Sequence, residues 1–235
     1  MAETMVFGVI LAGGDGQSME QAKQYQMLGN KPVLVHTIEK FYIHKRLEKI
    51  LVLCPKRWLD STQNMMEQYF PKSNGRIVLT ESGTTRNETI LNAVRFMEKQ
   101  YGLTQDILFV THDSVRPFVS YRIIEENIEY GLKYGVVDTV IPSSDTIVYS
   151  EDAAKITSVP KRSIMYQGQT PQTFPAFMFK KLYQDMKEEE KAVLTDACKV
   201  FVLNGEKVHL AEGENANIKI TYPYDLKVAE SLMIP

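Results

Sequence analysis

The chain has 235 residues, a formal net charge of −2, 44% apolar residues and 24% charged residues. This balance suits a soluble globular protein with a sizeable core, and it excludes the broad basic face that nucleic-acid binding requires. Cys54 and Cys198 each sit in an apolar stretch, which reads as reduced core thiols in a cytoplasmic protein. Glu3 stands where a secretory signal needs basic residues, and the apolar run after it is too short to span a membrane. With no repeat or linker, the expectation is a single domain over residues 1–235.

Val6, Phe7, Val9, Ile10 and Leu11 form an apolar strand that runs into Ala12, Gly13, Gly14, Asp15 and Gly16, with Lys23 and Gln24 beyond the turn. A buried strand feeding a glycine-rich turn exposes backbone N–H groups that can cradle phosphate. The turn lacks both the Gly-Lys-Ser/Thr ending of a P-loop and the third glycine of the dinucleotide fingerprint. A tight strand-to-helix turn without a ligand is the competing reading.

Residues 32–38 read as a helix with Pro32 in its first turn, and 50–53 as a buried strand stopped by Pro55. A helix over 58–70 and a strand over 76–80 follow. Over 86–101, Ile90, Val94 and Met97 recur at helical spacing. Residues 106–111 form an apolar strand that ends in His112, Asp113 and Ser114. This order predicts an α/β fold, Rossmann-like, in three layers with helices on both faces of a parallel sheet. Ligands of such sheets bind beyond the carboxyl ends of the strands, where the glycine loop, 81–86 and 112–113 all fall.

In the second half, 136–142 reads as a strand, and 145–149 opens another that ends near Lys155. Residues 156–172 have no helical period and two prolines, which suggests an extended arm. With the preceding turn it spans about 143–172. Helices are expected over 176–186, 194–201 and 224–233, and strands over 208–210 and 217–220.

Asp113, at a strand's carboxyl end, could hold Mg²⁺ bridged to nucleotide phosphates, or cap the next segment. No second His or Cys stands at metal spacing to His112, which reads as a packing or hydrogen-bonding residue. Gly83, Thr84, Thr85, Arg86 and Asn87 open a helix whose amides and small polar groups suit a base edge, or merely cap it. Arg116, Arg162 and Lys219 suit a phosphorylated substrate, although each alone reads as a surface charge.

Taken in order, the motifs 11–16, 23–24, 83–87, 112–117, 145–146, 170–172 and 217–221 resemble the cytidylyltransferase family that makes CDP-methylerythritol and CDP-ribitol. Residues 166–172 and 194–199 look most like its ribitol-5-phosphate branch, which supplies CDP-ribitol for teichoic acids. The resemblance implies a Mg²⁺-dependent transfer of CMP from CTP, with Asp113 on the metal. Leu11, Ala12, Gly13, Gly14, Gly16, Lys23, Gly83, Thr84, Thr85, Arg86, Asn87, Glu88, Thr89 and Ser114 would hold the nucleotide. Arg116, Asp145, Thr146, Arg162, Thr170 and Lys219 would hold the polyol phosphate. Lys23, Arg162 and Lys219 would act in catalysis. The arm would serve a homodimer by reaching into the neighbour's site, with neither nucleic acid nor membrane as partner.

One departure stands out. Where the family carries an arginine before methionine, this chain has Ser18 before Met19, and the loop to Lys23 is two or three residues shorter than usual. An arginine on a transferring phosphate is worth roughly 10³–10⁵ in rate. Three readings follow: a ribitol-5-phosphate cytidylyltransferase, a methylerythritol-4-phosphate cytidylyltransferase, and a weakened or non-catalytic nucleotide-binding homologue.

Overall fold

The computed structural model describes residues 4–14, 22–102 and 106–233. In chain order its first half contains β1 (Met5–Leu11), β2 (Met27–Leu28), β3 (Lys31–Pro32), α1 (Val33–Tyr42), β4 (Leu47–Cys54), α2 (Leu59–Tyr69), β5 (Ile77–Glu81), α3 (Arg86–Tyr101) and β6 (Ile107–Asp113). The second half contains α4 (Tyr121–Tyr134), β7 (Val137–Pro142), β8 (Tyr166–Pro175), α5 (Ala176–Asp185), α6 (Glu188–Ala192), α7 (Cys198–Leu203), β9 (His209–Glu212) and α8 (Pro223–Leu232).

Among the described residues, seven strands form one sheet in the order β5-β4-β1-β6-β8-β7-β9. Its first four strands are parallel, as the βαβαβ order predicts. Alternation along β1 separates two cores. Phe7, Val9 and Leu11 pack with residues of α3, α5 and α7 on one face. Val6 and Ile10 pack with α1, α2 and α4 on the other. Both faces are dry, so β1, β4 and β6 read as nearly continuous apolar runs.

β8 departs from the expectation. It lies between β6 and β7 and runs antiparallel to both, so the sheet is mixed and residues 166–172 belong to it rather than to the arm. The reason is visible in its burial: Gln169 to Phe174 are all buried, although four of the six are polar. Those polar groups are satisfied inside. Asn127 of α4 donates to Thr139 Oγ1 at 2.8 Å, Thr139 donates to Pro171 O at 2.6 Å, and Thr173 donates to Asn127 Oδ1 at 3.1 Å. A hydrogen-bonded buried network of this kind fixes register, because a slip would leave every member unpaired.

The remaining corrections are local. Residues 145–149 form no strand; a single antiparallel bridge joins Tyr149 to Ser158. Residues 217–220 form none either, since isolated bonds to Arg116 and Val115 hold them, as described below. Pro32 caps α1 from outside rather than opening it. The helix expected over 194–201 begins only at Cys198. Helix α4, capped by Ser120 and apolar at Ile123, Ile124 and Ile128, and the short β2–β3 hairpin add to the elements expected from the sequence. Among the described residues, no helix is long and apolar enough to cross a membrane.

Candidate active site

Strand register sets the level of the site. Leu11 lies beside Leu53 and Asp113, and Cys54 lies beside Glu81. The loops leaving β1, β5 and β6 therefore open on one edge of the sheet. With Thr195 and residues 219–221 they enclose a cavity of about 400 Å³, a size ordinary for a small-molecule site.

The first wall is the glycine loop. Ala12 N–H donates to Leu53 O at 2.8 Å, and Ser114 N–H donates to Leu11 O at 3.2 Å. Gln24 closes it from behind, donating from Nε2 to Ala12 O at 2.9 Å and to Gly14 O at 3.0 Å. A Cβ at Gly13 would stand 3.1 Å from Ser82 Cβ, so the loop lies close against the residues before α3. The Gly13 and Gly14 N–H groups have no partner among the described residues. Lys23 lines the same cavity.

The second wall is the start of α3. Thr85 caps it by accepting from Glu88 N–H at 3.2 Å, while Glu88 Oε2 accepts from the Thr84 and Thr85 amides at 3.0 and 3.1 Å. The Thr84 hydroxyl also donates to Glu88 and holds its carboxyl below the usual range. Gly83 makes this turn possible, since a Cβ there would sit 2.5 Å from Glu88 Cβ and 2.8 Å from Thr89 N.

Asp113 is the centre. Its carboxylate accepts from Arg86 Nη1, from Arg116 Nε at 3.3 Å and from Lys219 Nζ at 3.1 Å. Burial opposes its ionisation, but Arg86, Lys219 and Arg116 outweigh that and hold the carboxyl far below the usual carboxylate range. Arg116 also donates to Asn217 O at 2.8 Å, and Ile220 N–H donates to Val115 O at 2.9 Å. These two bonds, rather than a strand ladder, hold 217–220 in an irregular path and bring Lys219 to Asp113.

His112 supports the aspartate from below. It is fully buried, and burial pushes its pKa down to about 4, so the ring is neutral near neutral pH. Nε2 faces Arg116 O at 3.1 Å, and a carbonyl only accepts, so Nε2 carries the proton. Nδ1 then accepts from the Thr170 hydroxyl at 2.8 Å, and that hydroxyl accepts from Asp113 N–H at 3.2 Å.

The cavity is lined by Leu11, Gly13, Gly14, Lys23, Gly83, Thr84, Thr85, Arg86, Thr89, Asp113, Ser114 and Lys219. Ala12, Asn87 and Glu88 stand behind that surface and build it. Arg116 and Thr170 line a contiguous cleft. Thr170 is expected to bind substrate, but the structure ties its hydroxyl to His112 and Asp113 and leaves it 4% exposed. Asp145, Thr146 and Arg162 are exposed on the 143–165 segment and do not line either space. Arg162 donates to Ser144 O at 3.2 Å. Gly16 and Ser18 lie outside the described residues. Thr195, given no site role in the sequence reading, lines both spaces; the irregular stretch before α7 gave no periodic signal to locate it.

Among the described residues, no group of three or more His, Cys, Asp or Glu is placed to hold a metal ion. A single buried carboxylate still fits Mg²⁺ of the kind that keeps its waters and arrives on substrate phosphates. Asp113 would supply one oxygen, yielding a contact with Lys219 or Arg116 to do so.

Atoms without partners say what belongs in the cavity. Arg86 Nε and Nη2 are buried and find no acceptor among the described residues, and the Gly13 and Gly14 amides beside Lys23 find none there either. The loop amides with Lys23 and Lys219 suit the phosphates of a nucleotide at the carboxyl edge of such a sheet, the ligand class of a nucleotidyltransferase. The 2-C-methyl-D-erythritol 4-phosphate cytidylyltransferase (IspD) family model matches residues 6–234, and the chain belongs to that family.

Solved structures agree in fold. The 4-diphosphocytidyl-2C-methyl-D-erythritol synthase of Anaerococcus prevotii is 26% identical with a TM-score of 0.80, over 97% of this chain and 95% of that one. The 2-C-methyl-D-erythritol 4-phosphate cytidylyltransferase of Thermus thermophilus is 25% identical with a TM-score of 0.72, over 98% of both chains. That of Francisella tularensis is 23% identical with a TM-score of 0.79, over 97% of this chain and 99% of that one.

Proposed function

We propose that the protein transfers CMP from CTP to D-ribitol 5-phosphate, giving CDP-ribitol and pyrophosphate. The observation that carries the transfer is the ring of cations around Asp113: Arg86 and Lys219 face the glycine loop and Lys23 across one cavity, and Arg116 lines the contiguous cleft. A phosphate oxygen of the acceptor attacks the α-phosphorus in line, the bond to the β-phosphate oxygen breaks, and pyrophosphate leaves. This reaction needs positioned positive charge more than covalent chemistry. The loop amides and Lys23 hold the nucleotide phosphates, and Ser114 and the start of α3 flank the nucleoside. Arg116 and Lys219 orient the acceptor phosphate. Mg²⁺, when bound, neutralises phosphate charge beside Asp113.

Ribitol 5-phosphate as acceptor is supported by the segments 166–172 and 194–199. Their Gln169, Gln172, Thr195 and Asp196 line the cleft next to Arg116. The family description favours a second acceptor, 2-C-methyl-D-erythritol 4-phosphate. Competition between the two acceptors at equal concentration, read as the ratio of CDP products, separates the readings. Ser18 motivates a third, a weakened homologue. Under that reading, Ser18→Arg raises turnover by an order of magnitude or more, as an added phosphate-binding guanidinium should.

The 143–165 segment carries Val148, Tyr149, Ile156, Val159 and Ile164, each at least half exposed. An apolar strip of this kind is an interaction surface, and we assign it to a homodimer in which Asp145, Thr146 and Arg162 meet the partner's site.

A further inference from the structure

We infer that Gln24 is a positioning residue that sets the phosphate loop and Lys23 in one geometry. The inference rests on the nucleotide phosphates lying on the glycine loop. Gln24 is 2% exposed, and its single amide nitrogen has two protons, both taken by loop carbonyls: Ala12 O at 2.9 Å and Gly14 O at 3.0 Å.

Two consequences follow from this fork. A peptide carbonyl aimed into the cavity would repel a phosphate, whereas carbonyls held by Gln24 leave the Gly13 and Gly14 amides as the loop's open groups. The same side chain is one residue from Lys23, in the 3-10 turn Lys23–Tyr25. The next residue fixes that turn on the other side: the Tyr25 hydroxyl shares a 2.8 Å hydrogen bond with Thr62, and its ring stacks on Trp58 with centroids 4.7 Å apart. Lys23 thus stands on a turn pinned to the loop by Gln24 and to α2 by Tyr25. Displacing the turn moves the lysine and the amides together.

Chemistry makes the role separable from packing. Glutamate has the same shape but, when ionised, only accepts, so it would face two carbonyls with no proton to give. Protonated, it restores one of the two bonds. Burial beside two carbonyls raises the pKa of a carboxyl, so the defect of Gln24→Glu is repaired by acid, and that of Gln24→Met is not.

The test begins with CTP titration calorimetry on the intact protein, followed by Gln24→Met and Gln24→Glu with pyrophosphate release and melting curves. Native binding is expected. For Gln24→Met, kcat/KM for CTP should fall about 10²-fold, the scale of one lost oxyanion-type donor. For Gln24→Glu, the ratio of its kcat/KM to the native value should rise about tenfold between about pH 8 and about pH 6. Native CTP affinity and turnover in Gln24→Met would overturn the inference. So would a Gln24→Glu profile parallel to the native one, even in variants that melt early, because a role in stability alone leaves KM and the pH profile unchanged. Absence of CTP binding by the native chain would remove the nucleotide reading itself and this inference with it.

Discussion

Replacing Asp113 with asparagine removes the one negative charge among three cations. Arg86 and Arg116 suffer most: Arg86 Nε and Nη2 are already buried without an acceptor among the described residues, and Arg116, 11% exposed, keeps Asn217 O at 2.8 Å as a partner. Lys219 is 47% exposed, so water compensates it in part. Breaking a buried pair costs about 3–5 kcal/mol, and the partial exposure here points to the lower end, about 3 kcal/mol near neutral pH. For a chain of this length that lowers the melting temperature by about 6–12 °C.

The pH dependence has a definite sign. The folded carboxyl lies far below its unfolded value, so its contribution is full above the unfolded pKa of about 4 and is lost as pH falls toward the folded one. The gap between the native chain and Asp113→Asn should therefore be widest near pH 7 and should narrow below about pH 4. Urea denaturation across that range measures it. A gap under about 1 kcal/mol at neutral pH, or one that widens in acid, would refute the reasoning.

Asp138 gives the opposite sign. Burial lifts its carboxyl to about 6, with Gln172 donating to it at 3.0 Å and Asp196 repelling it. Its folded pKa is raised, so the native chain gains stability as pH falls through that value. Asp138→Asn should be more stable than native by about 1–3 kcal/mol near pH 8, the advantage vanishing by about pH 4, as followed by urea melts. Gly83→Val should loosen the start of α3, because its Cβ would stand 2.5 Å from Glu88 Cβ. CTP affinity should fall at least about tenfold with a lower melting temperature, as read by calorimetry and thermal melts. Tyr149→Asp with Ile156→Asp, both in the exposed strip, should shift the proposed homodimer to monomer in sedimentation velocity.

Where the chain is simple, the fold was legible. β1 and the central parts of β4 and β6 are apolar runs buried on both faces, and α3 spans the residues over which its helical spacing is read. Their carboxyl ends locate the cavity, because parallel register leaves no other place for the loops. The glycine loop, the start of α3 and Asp113 were readable for that reason. β8 was not, since a strand with polar residues facing inward gives no alternation, and its burial depends on Asn127 and Thr139 from elsewhere in the chain. The path of 217–220 was misread as a strand because Ile218 and Ile220 alternate with polar residues, whereas Arg116 and Val115 hold it. The role of the Thr170 hydroxyl depends on which His112 nitrogen carries the proton, a matter of contacts rather than sequence.

The central claim is that this cation-ringed cavity transfers CMP to a small polyol phosphate. Its most direct test is pyrophosphate release by the purified protein with CTP, Mg²⁺ and ribitol 5-phosphate, with 2-C-methyl-D-erythritol 4-phosphate in parallel. The account predicts CTP-dependent release with ribitol 5-phosphate as the better acceptor, lost in Lys219→Ala. CTP binding without release from either acceptor would contradict it.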